Sequence, residues 1–145
     1  MKIWPVFIAL MLLVVGCGPY DPKSQEDLGA CYKNEFDALP PSSVSSLQAR
    51  QMVIRDWGAQ WLQFNADKAT IDALLQKGFE RISKEQFMGK TVSKYTPQWW
   101  PSKNNNLTAF YYHPSWKRRF VGSNVAYLAH DEAHKRVCFM SEGIE

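Results

Sequence analysis

Groups that perform chemistry are scarce in this sequence. Its 145 residues include three histidines and three cysteines. No G-x-S-x-G elbow presents a serine nucleophile. The segment Gly122-Ser123-Asn124 lacks the second glycine and reads as a plain turn. No glycine-rich loop is arranged to cradle a phosphate. Asp131 and Glu132 are adjacent carboxylates, whereas a glycosidase pair must face across a cleft. An excess of one charge is lacking too. Lys and Arg number 17 against 14 Asp and Glu, a formal net charge of +3, which argues against a dedicated nucleic-acid binder. The run Lys117-Arg118-Arg119 is short and reads as a solvated loop. No apolar run reaches the ~20 residues that a membrane-spanning helix needs. No internal repeat is visible, and the length points to one domain.

What is present begins with residues 6–15, VFIALMLLVV, an unbroken apolar run preceded by Lys2. Its length and its charged flank are those of a signal-peptide core. The run ends in Val14-Val15-Gly16-Cys17. That tetrad resembles the lipobox of bacterial lipoproteins, in which branched and small residues precede a cysteine. The resemblance implies a diacylglyceryl group on the Cys17 sulfur, cleavage after Gly16 and acylation of the new amine. Two or three acyl chains, at ~0.8 kcal/mol per buried CH2, anchor a protein stably. Gly18 stands where an Asp would imply retention at the inner membrane. The resemblance therefore implies an outer-membrane anchor with the domain facing the periplasm.

With Cys17 taken by lipid, Cys31 and Cys138 remain. An exported domain sits in an oxidising compartment, and two remaining cysteines invite a disulfide. In the chain-entropy model a loop of this size is worth up to ~4.7 kcal/mol. The alternative is a buried thiol at Cys138 with no bridge.

Beyond the leader, residues 17–45 are rich in Pro, Ser, Asp and Lys and read as a lipidated cysteine followed by a tether. A first helix is expected from Ser45 or Ser46 to Phe64. There Val53, Ile54, Trp57, Trp61 and Phe64 fall on one helical stripe. A second helix is expected from a Thr70 cap through Ile71, Leu74 and Leu75 to Gly78, with Phe79 folding back in a Schellman motif. Phe79 to Ile82 reads as a short strand. Ser83-Lys84-Glu85-Gln86 has the form of a capping box, which starts a helical turn reaching Phe87. Leu107 to His113 reads as a strand. Residues 125–130 and 136–141 read as a β-hairpin around Asp131-Glu132-Ala133-His134-Lys135. The expectation is thus an α+β fold: two N-terminal helices, then a small antiparallel sheet of about three or four strands. Residues 1–16 form the leader, 17–45 the tether and 46–145 a single domain.

The motif His130-Asp131-Glu132-Ala133-His134 carries two histidines at i and i+4. A zincin needs Glu directly after the first His, on a helix. Here Asp131 holds that place and the flanks are strands, so the segment reads as a polar turn with a histidine on each shoulder. No metal or other cofactor is expected. Aromatics are the abundant feature. Trp99-Trp100 lies between Pro97 and Pro101, and Phe110-Tyr111-Tyr112 follows on a strand. Neighbours on a strand point to opposite faces, so both faces carry aromatic surface. Either the Trp99-Trp100 loop folds back as a lid on the sheet, or Trp99, Trp100, Tyr111 and Trp116 form a partner site. Aromatics beside Arg and Lys are favoured at such interfaces, and stacked aromatics also suit sugars. The functional expectation is a non-catalytic lipoprotein of the cell envelope that binds another envelope protein. Two alternatives are an immunity or inhibitor lipoprotein directed at a toxin or lytic enzyme, and a cell-wall hydrolase.

Overall fold

A computed structural model describes residues 18–117 and 124–144 of the chain. The leader, Cys17, Arg118, Arg119, Gly122 and Ser123 lie outside the described residues. In chain order the elements are β1 (Pro19–Tyr20), α1 (Gln25–Phe36), β2 (Ser45–Ile54), β3 (Trp57–Asn65), α2 (Lys68–Leu75), β4 (Glu80–Arg81), α3 (Lys84–Thr91), β5 (Ala109–His113), β6 (Asn124–Asp131) and β7 (Arg136–Ile144). All pairings are antiparallel, and the strands form one seven-stranded sheet in the order β1-β2-β3-β7-β6-β5-β4.

This architecture corrects the expected α+β layout of two leading helices and three or four strands. The first expected helix is a β-hairpin. Ile54 pairs with Trp57, and Arg55 turns the chain in the left-handed region at φ 54°. The residues of the apparent helical stripe are divided between the two faces. Ile54, Trp57 and Trp61 pack with one cluster and Phe64 with the other. Both faces are covered, so the strand loses the polar–apolar alternation that marks a half-buried sheet. Val, Ile, Trp and Phe are also the residues that favour strands.

The expected tether is folded as well. Ser24 caps α1 by accepting from the Asp27 amide at 3.1 Å, with Glu26 and Asp27 in the first turn, where the helix dipole favours acids. Leu28, Cys31, Tyr32, Glu35 and Phe36 form its buried stripe. At its far end Lys117 reaches the Asn34 carbonyl at 3.0 Å and the Asp37 carboxylate at 2.6 Å. The second expected helix exists as α2, but its cap is Asp67 instead of Thr70: Asp67 accepts from the Thr70 amide at 2.8 Å. Gly78 takes a positive φ of 106°. The capping box at Ser83 and Gln86 is formed in both directions, and α3 runs past Gly89 to Thr91.

Covering layers close both faces of the sheet. On one face α1 and α2 bury Tyr32, Phe36, Ile71 and Leu74 against Leu62, Phe64, Leu128 and Phe139. On the other, α3 and residues 92–108 bury Phe87, Trp100 and Leu107 against Trp61, Phe110 and Met140. No helix among the described residues is long and apolar enough to cross a membrane.

Candidate functional site

The β6–β7 hairpin organises the candidate site. Its strands pair from Asn124 with Gly143 to Asp131 with Arg136, and residues 132–135 make the turn. Asp131 closes that turn. Its carboxylate accepts from the His134 amide at 3.0 Å and meets the His134 ring Nδ1 at 2.8 Å. Burial pushes the Asp131 carboxyl upward, but the hydrogen bonds from His134 together outweigh it and hold the pKa below the usual carboxylate value. His134 itself is largely exposed. No described hydroxyl or thiol hydrogen-bonds to its ring, so the pair serves the turn and lacks an aligned nucleophile. No cluster of three His, Cys, Asp or Glu able to hold a metal ion occurs among the described residues.

Two grooves flank this turn, one on each face of the sheet. The first, of about 310 Å³, lies between α2 and the strands and is lined by Lys68, Asp72, Tyr111, His130, Glu132 and Lys135. His130 is 5% exposed, and its Nδ1 is buried with no hydrogen-bond partner among the described residues. Burial holds the His130 pKa below the ordinary histidine value. The Tyr111 ring stacks on it, with centroids 5.9 Å apart and planes 10° apart. Arg81 sits 5.2 Å from the same tyrosine ring and donates to its hydroxyl at 3.1 Å. The second groove, of about 370 Å³, is polar and is lined by Trp99, Trp100, Asn104, Asn106 and Arg136. Arg136 Nε is likewise buried and unpartnered. A buried polar atom left without a hydrogen-bond partner costs ~1–3 kcal/mol. Two such atoms at one end of one hairpin therefore single out that end of the molecule. A larger depression of about 580 Å³ beside α3 is mostly apolar. It contains no unpartnered buried polar atom, and Lys84 on its rim already donates to the Asn105 carbonyl at 3.2 Å.

No family model, curated protein or solved structure matches the chain.

The four aromatics expected to form one patch are divided. Tyr111 and Trp116 belong to the α1 face, Trp99 and Trp100 to the α3 face. Trp100 is a core residue. It stacks on Phe87 at 6.0 Å, and its indole N–H donates to Thr91 Oγ1 at 3.2 Å. The Trp99-Trp100 loop does fold over the sheet as a lid, and Trp99 is left half-exposed at the polar groove. Trp116 packs among Phe36, Phe79, His113 and Phe139, and its indole N–H donates to Glu35 at 2.8 Å. Cys31 and Cys138 are buried on opposite faces of the sheet, and no disulfide joins them. Burial raises the Cys138 thiol to about 12.

Sequence reasoning missed Glu35. Glu35 is 1% exposed and gathers donors from two strands and a loop: Gln60 on β3 at 3.1 Å, Ser141 on β7 at 2.8 Å and Trp116 after β5 at 2.8 Å. This network of hydrogen bonds ties α1 to the sheet. The signal was the spacing Leu28, Cys31, Tyr32, Glu35, Phe36, an i, i+3, i+4, i+7, i+8 stripe with an acid inside it.

Proposed function

We propose that this protein is a lipid-anchored, non-catalytic binding module of the bacterial envelope, held to a membrane through Cys17, with its binding end at the β6–β7 hairpin. The observation that carries the binding end is the pair of buried, unpartnered atoms, His130 Nδ1 and Arg136 Nε, which belong to residues lining the two grooves beside the turn. Arg136 offers an N–H to a carboxylate or carbonyl oxygen, with the Trp99 ring alongside as an apolar wall. Tyr111 and His130 offer a stacked aromatic floor in the other groove. Rigid aromatics next to a desolvated Arg are the usual anchors of a protein interface. The lipobox-like tetrad Val14-Val15-Gly16-Cys17 supplies the address.

Two measurements test this reading. Cells fed labelled palmitate should label the full-length protein and leave a Cys17→Ser variant unlabelled; equal labelling removes the anchor. A photo-crosslinking residue at Trp99 should give a discrete envelope adduct that Arg136→Gln weakens at least tenfold, while one at Lys90 on α3 gives none. Identical adducts with and without Arg136 would remove the hairpin as the binding end.

A further inference from the structure

The end of the sheet opposite the grooves collects exposed apolar side chains. Val53 is 47% exposed and Ile144 59%. Ile54 and Trp57, a cross-strand pair, lie half-buried beside them, and Trp57 also pairs with Ile144. Tyr20, 52% exposed, flanks the group on β1. The described chain starts at this same end. Pro19 pairs with Met52, so Gly18 follows on toward Val53, and Cys17 precedes Gly18 in the sequence. Scattered apolar side chains on a surface need no explanation. Here they share the rim at one end of the sheet, Val53 on the α1 face and Ile54, Trp57 and Ile144 on the α3 face, next to the residue read as lipidated.

We propose that this rim is a second membrane contact, in which Val53, Ile54, Trp57 and Ile144 enter the headgroup–acyl boundary beside the lipid on Cys17. The proposal rests on the anchor reading above. Several features suit a bilayer as occupant. Trp57 has an apolar ring and an indole N–H directed to Glu142 at 3.3 Å, and Trp and Tyr are favoured at membrane interfaces for this amphipathic character. Arg55 and Asp56 at the hairpin tip carry opposite charges, so together they add no net charge to the contact. With almost no tether between Cys17 and β1, the acyl chains bring the rim to the bilayer surface at high local concentration. A seated rim also sets the orientation. From Ile144 back to Arg136 along β7 is roughly 25 Å at ~3.3 Å per residue, so the grooves would point away from the membrane.

The test uses the full-length acylated protein in vesicles of phosphatidylethanolamine and phosphatidylglycerol at 3:1. An environment-sensitive fluorophore is placed at Val53→Cys, at Ile144→Cys, or at Glu132→Cys in the distal turn. Spin-labelled lipid should quench the first two at least twofold, also in 0.5 M salt, and leave the third unchanged. The Ile144 probe matters most. It lies three strands from β1, ~14 Å at ~4.8 Å per strand, beyond what attachment at Cys17 alone would hold in the bilayer. Acylated protein whose Val53 and Ile144 probes behave like Glu132 would overturn the rim contact and leave the anchor intact. Absence of acyl groups on Cys17 would overturn both.

Discussion

Single side chains at the β6–β7 hairpin make the protein's stability depend on pH in two separate ranges. His130 is buried in its neutral form, and its folded pKa lies below the unfolded value of ~6.5. The contribution of the neutral ring is complete above the unfolded pKa and is lost as pH falls through the folded one. Asp131 also has a depressed folded pKa, because the His134 hydrogen bonds outweigh its burial. Its contribution is complete above ~3.9 and is lost as pH falls through its own folded value. Acidification should therefore weaken the fold first below about pH 6.5 and again below about pH 4. Urea denaturation across this range should show both steps. His130→Gln should flatten the upper one and Asp131→Asn the lower. A profile that both variants leave unchanged would mean that neither group differs between folded and unfolded states.

At the level of elements, legibility in the sequence followed local chemistry. The capping box at Ser83 and Gln86 needs only four adjacent residues, so it was visible; the structure forms both of its bonds, at 3.1 Å and 2.9 Å. Ser83→Ala should cost about 1 kcal/mol, read as a shift in the chemical denaturation midpoint with unchanged slope. A cost near zero would show that packing of Phe87 and Met88 alone holds α3. The β6–β7 hairpin was legible for a similar reason, since two apolar runs bracket one polar turn. The β2–β3 hairpin was not. Its turn, Arg55-Asp56, lacks the glycine that usually announces such a turn, and its strands are buried on both faces, so a helical period could be fitted to them. The α1 helix was hidden by the prolines around it, although Ser24 and its apolar spacing marked it. The site was legible only in pieces. His130 and Trp99 drew notice in the sequence, and the hairpin already set Arg136 beside Asp131, but no local pattern records that Arg136 and Trp99 line one groove.

For the whole molecule, the decisive feature is how its beginning is fastened to its sheet. Strand β1 has only two residues, paired with Gln51 and Met52. Alone, so short an edge strand would fray. Asp21 secures it: its two carboxylate oxygens accept from Arg50 Nε and from a terminal guanidinium nitrogen, each at 2.7 Å. Arg50 also donates to the Tyr95 carbonyl at 3.1 Å, which links β1 to the segment that lids the opposite face. The hydrogen bonds that Arg50 donates to Asp21 hold its carboxyl below the usual pKa. Asp21 is nearly half-exposed, so the pair is worth ~1 kcal/mol at most. It is too weak to decide whether the domain folds, and strong enough relative to two ladder residues to decide whether β1 stays docked. Asp21→Ala should leave the global unfolding midpoint nearly unchanged. Successive amides of β2 point alternately toward β1 and β3, so exchange should rise several-fold at the one of Gln51 and Met52 whose N–H faces β1 and stay constant in the central strands β6 and β7, because local opening of an edge does not require global unfolding. Uniform exchange across β2, β6 and β7 would instead show that the edge and the core open as one unit.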